Sequence, residues 1–210
     1  MSLLIPGPAG PLEAKLWKPP HAAPRAAAVL CHPHPLHGGT MNTTALFRSA
    51  RGLEEAGLAV LRFHFRGVGK SAGTHDGQGA EELDLAAALD WLAAELPGVE
   101  LWAGGFSFGA RTSAAYAPKD RRIVRVLFVA LPVRVYDCSF LARVTQPGLV
   151  LMAGRDEFGT LAELRERIPD LPPQLETGEI PGVNHYFETA TQELQARVRR
   201  WAERSLENRT

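Results

Sequence analysis

Gly105-Phe106-Ser107-Phe108-Gly109 follows directly on the apolar run Val99 to Ala103, so a G-x-S-x-G pattern stands at the end of a segment that reads as a buried strand. A nucleophile elbow needs this context. A serine at a sharp strand-to-helix turn has its hydroxyl pushed out above the sheet edge, and the flanking positions must be small because strand and helix backbones approach closely there. Gly105 and Gly109 supply that room. The alanine-rich segment from Ala110 to Tyr116 is short-chained enough to run as a helix packed tightly on the sheet. The pattern also arises by chance, so its weight depends on the partners found elsewhere in the chain.

A neutral alcohol is a poor nucleophile, and Ser107 needs a histidine to take its proton and a carboxylate to orient that histidine. Behind an elbow these follow in the order serine, acid, histidine. Gln146 to Met152 is another strand-like run, and the turn Ala153-Gly154-Arg155-Asp156-Glu157 after it makes Asp156 the candidate acid. Leu175 to Ile180 reads as the next strand, and the loop Pro181-Gly182-Val183-Asn184-His185 makes His185 the candidate base. Asp137, which follows the strand-like run Ile123 to Ala130, is an alternative acid, and Glu157 a weaker one. His21 and His75 lie in surface-type segments, while His32, His34, His37 and His64 precede the serine.

Serine attack on a carbonyl also requires two backbone N–H groups for the oxyanion. Phe108, after the nucleophile, offers one. The second is expected from the loop His32-Pro-His-Pro-Leu-His-Gly-Gly39, which follows the strand-like run Ala26 to Cys31. Pro33 and Pro35 cannot donate. If His32 stands where a His-Gly loop carries its histidine, His34 is the donor.

Taken together, the serine elbow, the Asp156 turn, His185 in a Val-Asn-His-Tyr-Phe context, the His-Pro-His-Pro-Leu-His-Gly-Gly-Thr-Met loop and Phe65-Arg-Gly-Val-Gly-Lys-Ser71 resemble the small, lidless alpha/beta hydrolases usually described as predicted esterases. The resemblance runs from about residue 26 to about residue 200. It implies the alpha/beta-hydrolase fold; it does not fix a substrate, because one fold hosts many functions.

Composition fits one compact unit, residues 1–210: the chain is 45% hydrophobic and 22% charged, enough to bury a sizeable core. Twenty-three basic residues balance twenty-three acidic ones, so no global field favours nucleic acid or an anionic membrane as a partner. The N-terminal apolar run is too short for a signal peptide, and no stretch approaches a bilayer span, so the expected location is cytoplasmic. Cys31 and Cys138 sit in or near apolar strand contexts and are read as small hydrophobes, not a disulfide.

Strand-like and helix-like segments alternate, which predicts an α/β fold with a mostly parallel sheet covered on both faces. Strands are expected at Leu12 to Trp17, as an early edge strand, and at Ala26 to Cys31, Leu58 to Phe65, Val99 to Ala103, Ile123 to Ala130, Gly148 to Met152 and Leu175 to Ile180. Helices are expected near Thr43 to Ala56, Ala80 to Leu96, Ser107 to Tyr116, Thr160 to Arg167 and Tyr186 to Leu206, the second burying Leu85, Leu89, Leu92 and Leu96. The connection before Gln146 has room only for a small helical cover, so no large lid is expected and the site is open.

Three rival functions come from other classes. Gly67-Val-Gly-Lys-Ser71 resembles part of a phosphate-binding loop, but the full pattern needs glycine where His64 stands. His32, His34 and His37 could suggest a metal site, but interleaved prolines splay them and no further ligand cluster accompanies them. A binding protein that keeps the hydrolase fold without catalysis would be expected to have lost a member of the triad. The chain therefore reads as a serine hydrolase that cleaves small carboxylic esters through an acyl-enzyme, with no metal or organic cofactor. A thioesterase or peptidase on the same triad is the alternative.

Overall fold

The structure is a computed structural model and describes residues 2–207. Eight strands form one sheet: β1 (Leu3–Ile5), β2 (Leu12–Trp17), β3 (Ala26–Cys31), β4 (Leu58–Phe63), β5 (Leu101–Phe106), β6 (Ile123–Val129), β7 (Gly148–Ala153) and β8 (Leu175–Ile180). Their spatial order is β1-β2-β4-β3-β5-β6-β7-β8. β1 and β2 are antiparallel to their neighbours, and every pairing from β4 to β8 is parallel. Parallel strands need crossovers, supplied by α1 (Thr44–Glu55), α2 (Glu81–Glu95), α3 (Phe108–Tyr116) and α4 (Leu161–Arg167), while α5 (Thr191–Glu207) closes the chain.

Period-two alternation along the strands divides the core into two layers. In β3, Ala27, Val29 and Cys31 pack with Leu85, Leu89 and Leu92 of α2, Ala110 and Ala114 of α3 and Leu164 of α4. Ala26, Ala28 and Leu30 face the other way, with Leu46 and Leu53 of α1 and Leu194, Val198 and Trp201 of α5. Leu96 lies just past the end of α2 and packs against the first layer only partly buried. Between β6 and β7 the chain makes only a short 3-10 turn, Ser139–Arg143, so no lid covers the carboxyl ends of the strands. Among the described residues no helix is long and apolar enough to cross a membrane.

β6 ends at Val129 and β7 at Ala153, one residue short of and one past the expectation, and four larger differences have a physical reason. Leu12–Trp17 is not the edge: β1 lies outside it, and at three residues with Leu4 58% exposed, β1 carries too little hydrophobic pattern to be read. β4 stops at Phe63: the His64 N–H still reaches the Glu13 carbonyl of β2, but the Glu13 N–H goes to the Ser71 hydroxyl and not back to His64, and the Phe65 N–H goes to the His32 ring. β5 begins at Leu101, since the Val99 N–H turns back to Leu96, and it runs through Gly105 to the residue before the serine. Finally, α5 starts at Thr191, because Phe187 adopts φ 56° with its ring buried in the core, and residues 186–190 form a turn.

Candidate active site

Ser107 sits between β5 and α3 with φ 56° and ψ −121°, a positive-φ conformation that a serine adopts only when its surroundings enforce it. Its N–H donates to the Val129 carbonyl of β6 at 2.9 Å, and its carbonyl accepts the Arg111 N–H at 3.0 Å, so both sides of the turn are pinned. A Cβ on Gly105 would lie 2.5 Å from the Gly109 carbonyl carbon and 2.6 Å from the Cys31 carbonyl oxygen. One on Gly109 would overlap that same Cys31 oxygen. Both flanking positions therefore exclude any side chain.

Asp156 and His185 lie at the carboxyl ends of β7 and β8 and are each 2% exposed. The His185 Nδ1 is 2.8 Å from Asp156 Oδ2 and 2.9 Å from Oδ1. A carboxylate only accepts, so Nδ1 carries the proton and Nε2 is left with its lone pair, the tautomer a general base needs. Asp156 Oδ1 also accepts the Phe158 N–H at 2.8 Å, which fixes the carboxylate. The imidazole is held between rings: Phe106, the residue before the serine, at 4.9 Å, Phe158 at 4.7 Å and Tyr186 at 5.2 Å.

Ser107 and His185 line one open cleft of about 160 Å³, together with His34, Phe108, Val135, Tyr136, Phe158 and Tyr186. Asp137 is elsewhere. It is exposed on the loop after β6, and its two oxygens accept the Ser139 N–H and hydroxyl, which hold its carboxyl below the usual carboxylate range. Glu157 is exposed, its backbone carbonyl accepts from Arg134, and it is Asp156 that meets His185.

His34 caps the turn after β3. Its carbonyl accepts the His37 and Gly39 N–H groups and its Nδ1 accepts the Leu36 N–H at 3.2 Å, while its own N–H has no protein acceptor among the described residues. Phe108 is the first residue of α3, where a helix leaves its N–H groups without intrahelical partners. The His34 and Phe108 rings pack against each other at 4.9 Å. His32 serves the scaffold instead, since its Nδ1 donates to the Pro33 carbonyl at 2.6 Å and its Nε2 accepts the Phe65 N–H at 2.9 Å. Burial drives its pKa down to about 3, so it stays neutral and ties the β3 loop to the β4 loop.

Gly67 to Ser71 is likewise absorbed into the scaffold. Glu13 accepts the Lys70 N–H, the Ser71 hydroxyl accepts the Glu13 N–H, and the next helix begins only at Glu81. Residues of the site that the sequence did not single out are Phe158, Tyr136 and Tyr186. Only Phe158 left a trace, standing two residues after Asp156 where an aspartate side chain commonly accepts an N–H.

The alpha/beta hydrolase fold family matches residues 36–134. An alpha-beta serine hydrolase homologue from Coxiella burnetii is 34% identical, with 95% of this chain and 96% of that one covered and a TM-score of 0.88. The chain belongs to the alpha/beta hydrolase superfamily. An alpha/beta serine hydrolase without a lid from Xanthomonas campestris is 31% identical over 100% of this chain and 96% of its own, with a TM-score of 0.90. An uncharacterized protein of Rickettsia prowazekii is 33% identical over 202 residues, 91% of this chain and 84% of that one. Fold and relatives together support hydrolase activity for this member of the superfamily.

Proposed function

We propose that this alpha/beta hydrolase cleaves small carboxylic esters through a covalent acyl-enzyme. Ser107 attacks the carbonyl carbon, His185 Nε2 takes the hydroxyl proton and returns it to the departing alcohol, and Asp156 holds the imidazole in its tautomer and stabilises the imidazolium. The N–H groups of His34 and Phe108 receive the oxyanion as it forms. Water, activated by the same His185, then releases the acid. Each step uses only groups of this chain and water. The observation that carries this reading is the strained Ser107 at the strand-to-helix turn, lining the same cleft as a histidine whose Nδ1 is fixed by a buried aspartate.

The partner is a small-molecule ester, and with 23 basic and 23 acidic residues the chain carries no net field toward nucleic acid or membrane. The test is Ser107→Ala assayed on para-nitrophenyl acetate. Loss of a triad nucleophile lowers the rate by roughly 10⁴-fold or more. The fold should be unchanged, and near-wild-type turnover would remove the proposal.

A further inference from the structure

Behind His34 and Phe108, which line the cleft, lies a second buried carboxylate–histidine pair that the proposed reaction does not use. Glu81, the first residue of α2, is fully buried, and its Oε1 accepts from His75 Nδ1 at 2.7 Å. The His75 side chain is 6% exposed, so both partners are withdrawn from water. Its ring lies edge-on to His34 at 4.8 Å and 72°, and edge-on to Phe108 at 5.8 Å and 83°. His34 and Phe108 are the two residues whose N–H groups receive the oxyanion, and His75 touches the rings of both. It is not among the residues lining the cleft.

We propose that His75, anchored by Glu81, is a positioning residue that sets the spacing of the two oxyanion donors. Paired β3 and β5 fix the bases of both segments, but His34 sits on a loop three residues past the end of β3 and Phe108 at the start of α3, so the last part of their spacing is left to side-chain packing. Each ring leads back to its own backbone N–H, and a third ring wedged against both restrains their separation. Glu81 makes that wedge rigid. A ring held only by edge-on packing can turn about its side-chain bonds, whereas one tied through Nδ1 to a carboxylate on a helix terminus cannot. Donor placement acts on the transition state and hardly on the bound ester, so loosening it lowers kcat and leaves KM nearly unchanged.

The proposal rests on the assignment of His34 and Phe108 as oxyanion donors, and kinetics of three variants on para-nitrophenyl acetate test it. Glu81→Leu removes the anchor without leaving an unpaired buried charge, and His75→Ala removes the wedge. Each is expected to lower kcat by about tenfold or more, with KM within about twofold. Glu81→Gln retains an acceptor for Nδ1 and is expected to stay within about threefold of the parent. If Glu81→Leu does not fold, His75→Ala with Glu81→Gln decides the question.

A folded Glu81→Leu or His75→Ala enzyme with parent kcat would overturn the proposal, as would a loss confined to KM. So would a Glu81→Gln enzyme as impaired as Glu81→Leu. A parent protein that cleaves no ester at all fails differently: it overturns the proposed function, and this proposal with it.

Discussion

A positive-φ backbone at a non-glycine residue costs on the order of 1–3 kcal/mol, and Ser107 keeps it because the glycines beside it admit nothing larger and the Val129 carbonyl holds its N–H. Gly109→Ala should therefore do damage out of proportion to one methyl group. Its Cβ meets the Cys31 carbonyl, a backbone atom that cannot turn aside, so a fall in melting temperature together with loss of ester hydrolysis is expected. Thermal unfolding alongside an ester assay would check both effects. The acid is equally open to test. Asp156→Asn should lower kcat by roughly 10⁴-fold by favouring the wrong imidazole tautomer, whereas Asp137→Asn, whose partners are only Ser139 atoms, should change it little. Kinetics giving the reverse order would move the acid to the β6 loop. At this scale Ser107 and Asp156 could be picked out because each stands just after an apolar strand run, and His185 because it is the histidine in the loop after the last strand, in the order serine, acid, histidine. Tyr136, Tyr186 and the His75–Glu81 pair were not, because their roles come from proximity in space and not from spacing along the chain, and Phe158 showed only in its position two residues after Asp156.

Strands follow the hydrophobic pattern closely wherever the ladder itself takes up the backbone hydrogen bonds, as in β2 and β3, both with the expected ends. The pattern misleads where groups outside the ladder claim them. β4 loses its last two residues because the Ser71 hydroxyl takes the Glu13 N–H that would have answered His64, and the His32 ring takes the N–H of Phe65. α5 loses its first turn to the positive φ of Phe187, whose burial no helical periodicity could announce. The β3 loop has a consequence for pH. His32 is neutral in the folded protein, its pKa lowered to about 3 by burial, but titrates near 6.5 once unfolded. The unfolded chain thus binds the extra proton between those values. Stability from this group is complete above the unfolded pKa and is lost as pH falls toward the folded one, at up to about 1.4 kcal/mol per pH unit. Urea unfolding from pH 7 to pH 4 should show the decline, and a variant with His32→Phe should show a shallower one.

At the scale of the whole molecule, an eight-stranded sheet and its covering helices form the body of the described residues, and the connection from β6 to β7, where a lid could have been inserted, carries only the 3-10 turn Ser139–Arg143. Without apolar surface to wrap a long acyl chain, the roughly 0.8 kcal/mol available for each buried CH₂ is not realised beyond the cleft. Among straight-chain esters kcat/KM should peak at about two to six acyl carbons and show no jump when substrate forms micelles. A maximum at about twelve carbons would show that the protein offers an apolar groove outside the cleft. The central claim is that Ser107 is a nucleophile activated by His185, and fluorophosphonate labelling read by intact mass and peptide mapping tests it most directly. One phosphonyl adduct on Ser107 is expected, with none in Ser107→Ala and a much slower reaction in His185→Ala. Labelling at another residue, or an unlabelled folded parent, would contradict it.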